Sequence, residues 1–589
     1  MDIRASFDDS IFGRIVSTMK ILLIQPPIQD FYQTSIRTQP IGLAYLAASL
    51  QSQGHEVEIL DCQTGKGKSI PVPDELSYLH EFYPFDDRSP FKLYSGYYHF
   101  GMGWDEIRQR IETSEAEVFG ISSSFTPYHQ EALEIAKIVK QGDSRRVVVM
   151  GGAHVSCDPE GVLQNPSVDY AVLGEGEFRF GALLEVLGTG KRKALGEIDG
   201  LGYRVDGTMR INPLRHFIHD LDTLAQPARD LLDSGRYRIT RQNYTMIITS
   251  RGCPHQCAYC SAHLHMGAAF RARSPEKIVE EMADCYERYG TRLFDLEDDN
   301  FTFDQERAKE LMRRIIRSFG ERRLELTAMN GVSFASLNGE LLKLMKKAGF
   351  HTVNLSFVSN SPSLKEQMGR PTADTDFDEI LKEVEGAGLH TIAYAIFGMP
   401  GQTIKDMIDT SICLMKKRVL MGPSIYYPTP RTPLFERCRA DGILPPNPLQ
   451  WRSSAFPIET EEFDRLDLVT LFRLTRTINF LKGKIDAEEL GEGMTWKGLY
   501  QVATEKARVR GVETVEAIRV GEGVSPVDGN QKTVWPILLL LLFREKSFFG
   551  LKKDPGGRMS IMRVKSSKRV LEAFFERGWD EPILRSRTQ

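Results

Sequence analysis

Residues 244–260 read YTMIITSRGCPHQCAYC and carry three cysteines on a short loop directly after an apolar run. The run Met246–Thr249 predicts a strand, and Cys253, Cys257 and Cys260 follow it with the spacing C-x3-C-x2-C. Three thiolates on one loop can hold three irons of a [4Fe–4S] cluster. The fourth iron is then open, unlike that of an electron-transfer cluster with four cysteine ligands. The loop is therefore predicted to be a metal site at a strand end.

Two other uses of these cysteines are open from the sequence alone. His255 or His263 could supply the fourth ligand of a structural zinc ion, although such sites often take their ligands from two C-x2–4-C knuckles. Cys257 and Cys260 could also form a redox pair. The position of the loop at a strand end, within a repeated strand–helix pattern, favours the cluster.

The cysteine loop begins a series of alternating strands and helices. Repeated βα units of this size predict a complete or partial TIM-type barrel, in which the chemistry lies at the carboxyl ends of the strands. The further predicted strands are Arg292–Leu296, Glu325–Ala328, Thr352–Phe357 and Thr391–Phe397, and the predicted helices are Pro275–Tyr289, Asp304–Arg317, Gly339–Lys347 and Asp376–Ala387.

A second alternating pattern precedes the loop and predicts an α/β domain with a doubly wound parallel sheet, whose ligands bind at the carboxyl ends of its strands. Several of these ends are rich in glycine, which lets the backbone approach a large flat ligand closely. A plain Rossmann-like domain with tight turns is the alternative. The predicted strands are Ile21–Ile24, Val57–Leu60, Val118–Ser122, Val147–Met150 and Tyr170–Leu173, and the helices are Pro40–Gln53 and His129–Lys140.

Taken together, these motifs resemble the radical S-adenosylmethionine (SAM) enzymes that carry a cobalamin (B12)-binding domain, namely the class B radical SAM methyltransferases and their cyclase relatives. The cysteine loop, with Tyr259 before its last cysteine, resembles the radical SAM signature. The resemblance covers roughly residues 19–435. Its other segments are Leu296–Thr302 (LEDDNFT), Asn330–Val332 (NGV), Met368–Pro371 (MGRP), Phe397–Thr403 (FGMPGQT), Tyr427–Phe435 (YPTPRTPLF), Gly151–Val155 (GGAHV) and Val172–Glu177 (VLGEGE).

The resemblance implies three cofactors, which are a [4Fe–4S] cluster on the three cysteines, SAM and cobalamin. The implied SAM contacts are Tyr259, Asp298, Asp299, Asn330, Ser356, Ser359, Phe397 and Gly398. The implied cobalamin contacts are Pro26, Pro27, Ser122, Ser123, Gly151, Gly152, His154, Gly174, Glu175 and Gly176. No catalytic residue is identified. Tyr426 and Tyr427 are candidates for substrate contact, with core packing as the alternative.

Two segments depart from the family pattern. The fourth-strand segment Leu355–Ser361 has Val358 where many members offer a glutamate to SAM, so Ser356 and Ser359 are ribose contacts by position only. The loop after the first strand, Gln25–Phe31, lacks the histidine of a D-x-H-x2-G motif. The lower face of the cobalt is therefore expected to have no histidine ligand.

The sequence predicts five regions. Residues 1–18 are expected to be a disordered extension or the result of an upstream start codon. Residues 19–185 form the cobalamin-binding domain, with an aromatic-rich insertion at 64–112 that is either a lid or a surface packing on the next domain. The remaining regions are a connector at 186–240, the radical SAM barrel at 241–435 and a mainly α-helical C-terminal domain at 436–589. In the last region we predict a helix at Asp464–Lys484, further elements at Val534–Phe543 and Ser567–Arg577, and a loop at Gly521–Lys532.

The composition argues against a nucleic-acid-binding protein, a disulfide-stabilised scaffold and a membrane-spanning protein. A net charge of −4 over 589 residues gives no basic field for nucleic acid, and eight cysteines are too few for a disulfide scaffold. The longest apolar run, Pro536–Phe543, is well short of the ~20 residues that cross a bilayer, although a peripheral membrane contact stays open. A cytoplasmic location is expected. The five other cysteines lack the spacing of a second cluster, and they are Cys62, Cys157, Cys285, Cys413 and Cys438.

From the resemblance we expect methylation of an unactivated carbon by means of a 5′-deoxyadenosyl radical and methylcobalamin. A non-methylating relative, such as an oxidative cyclase or a rearrangement enzyme, is the alternative among enzymes. A cobalamin or iron–sulfur sensor without turnover is the alternative from another class. The expected partners are a small-molecule or peptide substrate and a flavodoxin- or ferredoxin-like electron donor.

Overall fold

A computed structural model describes residues 18–32, 39–65, 67–239, 242–370, 376–509, 531–553 and 559–586. Three predicted features lie wholly or largely outside these residues. They are the N-terminal extension, Pro371 of the MGRP segment, and the loop Gly521–Lys532, of which only the last two residues are described, at the start of a helix.

The strands are, in chain order, β1 (Lys20–Gln25), β2 (Ile28–Asp30), β3 (Glu56–Asp61), β4 (Lys68–Ile70), β5 (Tyr97–Phe100), β6 (Val118–Ser122), β7 (Val147–Gly151), β8 (Tyr170–Val172), β9 (Leu201–Val205), β10 (Thr208–Ile211), β11 (Arg238–Ile239), β12 (Gln242–Ile247), β13 (Ser250–Arg251), β14 (Arg271–Ala272), β15 (Leu293–Leu296), β16 (Glu325–Thr327), β17 (Thr352–Val358), β18 (His390–Phe397), β19 (Leu420–Ile425), β20 (Met494–Thr495), β21 (Phe549–Lys553), β22 (Met559–Arg563) and β23 (Pro582–Ile583).

The α-helices are α1 (Ile41–Ser52), α2 (Trp104–Glu112), α3 (His129–Gly142), α4 (Ala153–Cys157), α5 (Pro159–Gln164), α6 (Gly176–Thr189), α7 (Ala262–His265), α8 (Pro275–Arg288), α9 (Gln305–Phe319), α10 (Gly339–Ala348), α11 (Pro362–Gln367), α12 (Phe377–Gly386), α13 (Ile404–Met415), α14 (Pro433–Ala440), α15 (Arg465–Asp486), α16 (Trp496–Val509), α17 (Gln531–Glu545) and α18 (Lys568–Gly578). Among the described helices, none is both long enough and apolar enough to cross a membrane.

The first unit is a seven-stranded sheet in the order β10-β9-β8-β7-β6-β1-β3. The five strands from β8 to β3 are parallel, which confirms the predicted doubly wound sheet. Apolar residues of β1 face both ways: Ile21 and Leu23 pack with α1 and α6, whereas Leu22 and Ile24 pack with α2 and α3. The antiparallel hairpin β9–β10, from the predicted connector, pairs with β8. We therefore propose that the first unit extends to Ile211.

The second unit contains six parallel strands in the order β12-β15-β16-β17-β18-β19. Two isolated parallel bridges connect β16 with β17, one from Leu326 of β16 to Phe350, just before β17, and one from Val332, after β16, to Leu355 of β17. This arrangement confirms the predicted partial TIM-type barrel. Polar residues start the helices that follow the strands, because their side chains accept hydrogen bonds from free N–H groups in the first turn. Asp304 caps α9, Asn338 caps α10 and Thr403 forms a capping box on α13.

The aromatic insertion packs into the interior, and this favours the packing alternative over the lid. Tyr83 and Phe91 have no more than 1% of their surface exposed and share one apolar core with α15 and α17. Asp464 caps α15 and Ser567 caps α18, so the predicted C-terminal helix and the last predicted element are confirmed within two residues. The region is not purely helical, because β21 and β22 form a hairpin.

Candidate active site

The cysteine loop follows β12 and the two-residue β13 at the carboxyl edge of the second sheet. One of its three thiols is buried and the other two are half-buried. Two main-chain hydrogen bonds fix the loop, one from the Ala258 N–H to the Met368 carbonyl at 2.9 Å and one from the Leu434 N–H to the Ala258 carbonyl at 3.0 Å. The loop is therefore held by segments from two distant parts of the barrel.

The donor set of this loop fits a four-iron cluster better than a single metal ion. Within the described residues, no three His, Cys, Asp or Glu side chains are grouped as ligands of one ion. A cluster binds its thiolates at separate irons, whereas structural zinc gathers four ligands around one centre. Burial raises the pKa of Cys260 to about 11, so iron binding must displace its proton. This geometry does not favour the zinc alternative.

The acidic segment after β15 accepts hydrogen bonds from the residues that lead into the cysteine loop. Asp298 is 2% exposed and accepts hydrogen bonds from the Thr249 N–H and the Ser250 hydroxyl, both at 2.6 Å. Asp299 accepts a hydrogen bond from the Gly252 N–H at 2.9 Å. Burial raises the pKa of Asp298 above its ordinary value. Because both Asp298 oxygens are engaged within the protein, its contact with SAM stays a prediction.

Asn300 offers an unused acceptor beside the cysteines. Its Nδ2 lies 3.8 Å from the Cys253 Sγ, and its Oδ1 is buried without a hydrogen-bond partner. A buried acceptor without a partner costs free energy, so a ligand that brings an N–H or O–H donor is favoured at this place. The amino group and the ribose hydroxyls of SAM are such donors. The site therefore fits the predicted cofactor.

Three other predicted SAM contacts are accessible to solvent at least in part. Tyr259 is half-buried in the cysteine loop, and Ser356 is half-buried on β17. Asn330 is exposed and donates a hydrogen bond from its Nδ2 to the Glu297 Oε2 at 2.8 Å. Asp299 and Asn330 follow the carboxyl ends of β15 and β16, whereas Ser356 lies within β17. Their contacts with SAM stay predictions.

The remaining predicted SAM residues are enclosed by packing partners. Ser359 is fully buried, and its hydroxyl lies 3.3 Å from the Thr410 hydroxyl on α13. The Phe397 side chain is also fully buried. A side chain at Gly398 would start 2.8 Å from Leu468 of α15. These side-chain positions therefore face packing partners, and a SAM contact there would need main-chain atoms.

A cavity of about 380 Å³ lies at the carboxyl edge of the first sheet and is also lined by the second unit. Six of the ten predicted cobalamin residues line it, and they are Ser122, Gly151, Gly152, Gly174, Glu175 and Gly176. The second unit contributes Met246, Ile248, Arg251, His265, Met266 and Glu297. The cavity therefore lies between the two units.

The other four predicted residues, Pro26, Pro27, Ser123 and His154, do not line the cavity. The His154 ring is 4% exposed, and its centroid lies 4.1 Å from that of His129. Burial lowers the pKa of His154 well below its ordinary value. The direction of a side chain from a strand end depends on the register of the folded sheet, which the motif alone does not give. Contacts of these four residues with cobalamin stay predictions.

Glycines, which have no side chain, shape the cavity. Gly152 has φ +110°, and a Cβ there would lie 2.7 Å from the Ser123 carbonyl oxygen, so only glycine fits. A Cβ at Gly42 would meet no atom within 4 Å, so the cavity has room there for part of a ligand. A glycine-rich edge suits a broad flat ring system. The residues present therefore fit cobalamin.

Comparison with known protein families identifies both units. The radical SAM superfamily matches residues 247–411, which contain the cysteine loop, and the B12-binding domain matches residues 96–184, which contain most of the glycine-rich edge. The chain therefore combines a radical SAM domain with a B12-binding domain. Its cofactors are a [4Fe–4S] cluster, SAM and cobalamin.

Relatives with named activities include methyltransferases. An uncharacterized methyltransferase of Pyrococcus horikoshii is 29% identical over 434 residues, which are 73% of this chain and 85% of that protein. The cytidylyl-2-hydroxyethylphosphonate methyltransferase of Streptomyces wedmorensis is 26% identical over 474 residues, which are 74% and 84% of the two chains.

Two solved structures share the fold. TsrM of Kitasatospora setae, a radical SAM methyltransferase with cobalamin and a [4Fe–4S] cluster bound, has a TM-score of 0.54 at 19% identity and covers 72% of this chain and 75% of its own. The cobalamin-dependent SAM radical enzyme OxsB has a TM-score of 0.59 at 14% identity and covers 96% and 85%.

A buried ionic network joins the two units of this radical SAM enzyme. The Arg251 guanidinium donates to the Glu175 Oε1 at 2.9 Å and to the Glu177 Oε1 at 2.6 Å. Arg271 donates to both Glu175 oxygens at 2.9 Å. Glu175 was predicted as a cobalamin contact, but its carboxylate is engaged by the two arginines. Sequence reasoning missed these pairs. The one signal in the sequence was the pair of glutamates, Glu175 and Glu177, beside the glycines of a predicted turn.

Sequence reasoning also missed Glu297, which directly precedes the predicted acidic pair Asp298–Asp299. Its side chain lines the cavity, and its Oε2 accepts the hydrogen bond from Asn330. Burial and the neighbouring Asp295 carboxylate raise the pKa of Glu297 to about 8. Burial and the Asp295 carboxylate therefore favour the protonated form of this carboxyl group, which lies in the cavity shared by both units.

The two tyrosines proposed as substrate contacts differ. Tyr426 is 4% exposed, and burial together with the neighbouring Cys438 thiol raises its pKa, so it faces α14. Tyr427 is half-buried, and burial and Cys260 raise its pKa. Tyr427 therefore lies on the cluster side of the barrel, where substrate contact stays a prediction. Tyr426 has the surroundings of a core residue.

Proposed function

We propose that this enzyme transfers a methyl group to an unactivated carbon of a small-molecule or peptide substrate. When bound, the cluster and SAM supply a carbon-centred radical, and cobalamin supplies the methyl group. A one-electron donor protein would reduce the cluster. The methyltransferase relatives and the arrangement of the two units support the proposal.

One observation carries the proposal, namely that a single cavity is lined by both units. Gly151 and Gly176 approach it from the first sheet, and Met246 and Ile248 approach it from β12 and the residue after it. A ligand on the glycine-rich edge therefore faces the strand that leads to the cysteine loop. Radical generation and methyl donation must reach the same substrate carbon, and a shared chamber supplies that proximity.

The chain's own residues would orient the reactants and exclude water. The cavity walls include Leu43, Leu46, Phe125 and Phe180, whose apolar surfaces keep water from a reactive carbon. Asp298 and Asp299 hold the entry to the cysteine loop through their hydrogen bonds, so its geometry does not depend on the ligand. The Asn300 Oδ1 would accept a donor from SAM.

A non-methylating reaction is the second candidate. An anaerobic magnesium-protoporphyrin IX monomethyl ester cyclase of Synechocystis is 24% identical over 371 residues, which are 62% of this chain. The mass of the product separates the two reactions, because methylation adds one CH2 unit, whereas oxidative cyclisation removes hydrogen or adds oxygen.

The test uses anaerobically reconstituted enzyme, a chemical reductant and SAM with a deuterated methyl group. We expect 5′-deoxyadenosine, S-adenosylhomocysteine and, with a small-molecule extract of the source cells, a product that carries the labelled methyl group. The Cys260→Ala variant is the control and should form none of these. A product that loses hydrogen or gains oxygen without the label would favour the second candidate, and no 5′-deoxyadenosine at all would favour a sensor.

A further inference from the structure

The residue that leads into the cysteine loop is tied to the wall of the cobalamin cavity. Arg251 ends β13 and is separated from Cys253 only by Gly252. Its guanidinium reaches Glu175 and Glu177 at 2.9 and 2.6 Å, and all three residues line the cavity. The cavity wall is therefore connected to the first cysteine by the Arg251 side chain and the main chain from Arg251 to Cys253.

The tie is reinforced from the neighbouring strand. Arg271 pairs with Arg251 across the antiparallel ladder β13–β14, and it also binds Glu175. The Ile218 N–H donates a further hydrogen bond to the Glu175 Oε2 at 2.7 Å. Two positive and two negative groups thus balance, and the Arg251 and Glu175 side chains are 5% and 0% exposed. The network is shielded from solvent and has defined geometry.

Stability alone does not explain such a network. Removing two charges from water costs about as much as their attraction returns, and well-packed apolar residues often do as well. What charged hydrogen bonds add is direction, because a guanidinium that binds two carboxylates has one allowed orientation. The Arg251 guanidinium also lies 5.4 Å from the centre of the Tyr45 ring, which limits its movement further.

We propose that Arg251 is a positioning residue that fixes the cysteine loop relative to the cobalamin cavity through Glu177 and Glu175. The network holds the two cofactor sites at one distance and angle. The inference concerns the cofactors and not the net reaction, so it does not depend on methyl transfer. Its tests need no substrate, and their failure is distinguishable from failure of the proposed function.

The main variant is the double substitution Arg251→Met with Glu177→Gln. It removes one charge of each sign, while Glu175 keeps its pairing with Arg271, so no buried charge loses every partner. We expect wild-type iron content and folding. Hydroxocobalamin added to cobalamin-free protein should bind with a Kd raised on the order of tenfold, measured by absorbance. Spin relaxation of cob(II)alamin by the reduced cluster, measured by electron paramagnetic resonance, should also change.

Two further variants complete the test. Arg251→Lys keeps the charge but loses the two-pronged geometry, and it should retain iron while showing the same change in spin relaxation. Glu160→Gln is the control, because Glu160 pairs with Arg431 at the surface, with side chains 51% and 39% exposed. It should leave both readouts unchanged. Wild-type cobalamin affinity and wild-type spin relaxation in Arg251→Lys and in the double variant would overturn the proposal. If the double variant does not fold, Arg251→Lys decides.

Discussion

The two parallel sheets of this enzyme open toward one chamber, but they form its walls by opposite means. The edge of the first sheet is shaped by what is missing, because Gly151, Gly152 and Gly176 leave space for a broad ring. The edge of the second sheet is shaped by what is present, because Asp299 and Asn300 place oxygen and nitrogen atoms at the cysteine loop. The same βα architecture thus serves two kinds of ligand.

The difference predicts opposite responses to mutation. At the first edge, a larger side chain should exclude cobalamin. At the second edge, removal of a polar group should weaken the binding of SAM. Each edge should also lose its own ligand alone, except where a substitution breaks the Arg251 network that joins the two units.

The largest effect is expected when Cys253, Cys257 and Cys260 are all replaced by Ala. The protein should lose its iron and sulfide, about four irons per chain, because no other group of thiols has the spacing of a cluster. Cobalamin content should be kept. Metal analysis and absorbance of anaerobically purified protein measure both. Loss of cobalamin together with iron would show that the edges are not independent, and zinc in place of iron would overturn the assignment.

The next effect tests the empty space at the first edge. Gly42→Leu places a side chain where no atom lies within 4 Å, at the second residue of α1. We expect cobalamin affinity to fall by more than tenfold, while stability stays equal or rises by about 0.5–1 kcal/mol, because glycine is a poor helix former. Titration with hydroxocobalamin and thermal unfolding measure the two quantities.

Gly483→Leu is the matched control for this variant. Gly483 lies within α15, its Cβ position is also open, and it does not line the cavity. It should gain similar stability and keep wild-type affinity for cobalamin. Equal affinities in both variants would mean that the space beside Gly42 is not used by the ligand.

A smaller effect tests the polar groups at the second edge. Asn300→Leu removes the unpartnered acceptor at nearly constant volume. Loss of one hydrogen bond to a charged ligand costs about 1.5–3 kcal/mol, so formation of 5′-deoxyadenosine at limiting SAM should fall on the order of tenfold or more. Iron content should not change. Unaltered SAM cleavage would exclude Asn300 from the SAM site.

The smallest effect concerns the proton on Glu297. Its pKa is raised to about 8 in the folded state by burial and by Asp295, with Asp298 also raising it and Asn330 opposing the shift. The folded protein therefore binds more protons than the unfolded chain between about pH 4.5 and pH 8, and this contribution to stability is lost as pH rises through that window. Glu297→Gln should unfold at a higher temperature than the wild type at pH 8, by on the order of 2 °C, but not at pH 4. An equal difference at both pH values would contradict the raised pKa.

Strand and helix positions could be predicted closely from the sequence, whereas side-chain roles could not. The predicted strand Val118–Ser122 has the bounds of β6, and Asp464 caps the predicted C-terminal helix, because local patterning and capping decide such features. Ser359 and His154 are buried against other side chains, since their direction depends on register and packing. The pairing of Arg251 with Glu175 joins residues 76 positions apart, which no local pattern reveals.

The packing of the aromatic insertion has a consequence for how the chain folds. Tyr83 donates a hydrogen bond to the Ser454 carbonyl, and Arg473 contacts Asp87 across 386 residues of sequence. The insertion leaves the ribosome early, but its partners are made hundreds of residues later. At about 5–20 residues per second, its apolar surface waits tens of seconds for them. Contacts of such long range also form slowly. We therefore expect the apolar side chains of this segment to stay exposed during synthesis until the residues around Ser454 and Arg473 have been made.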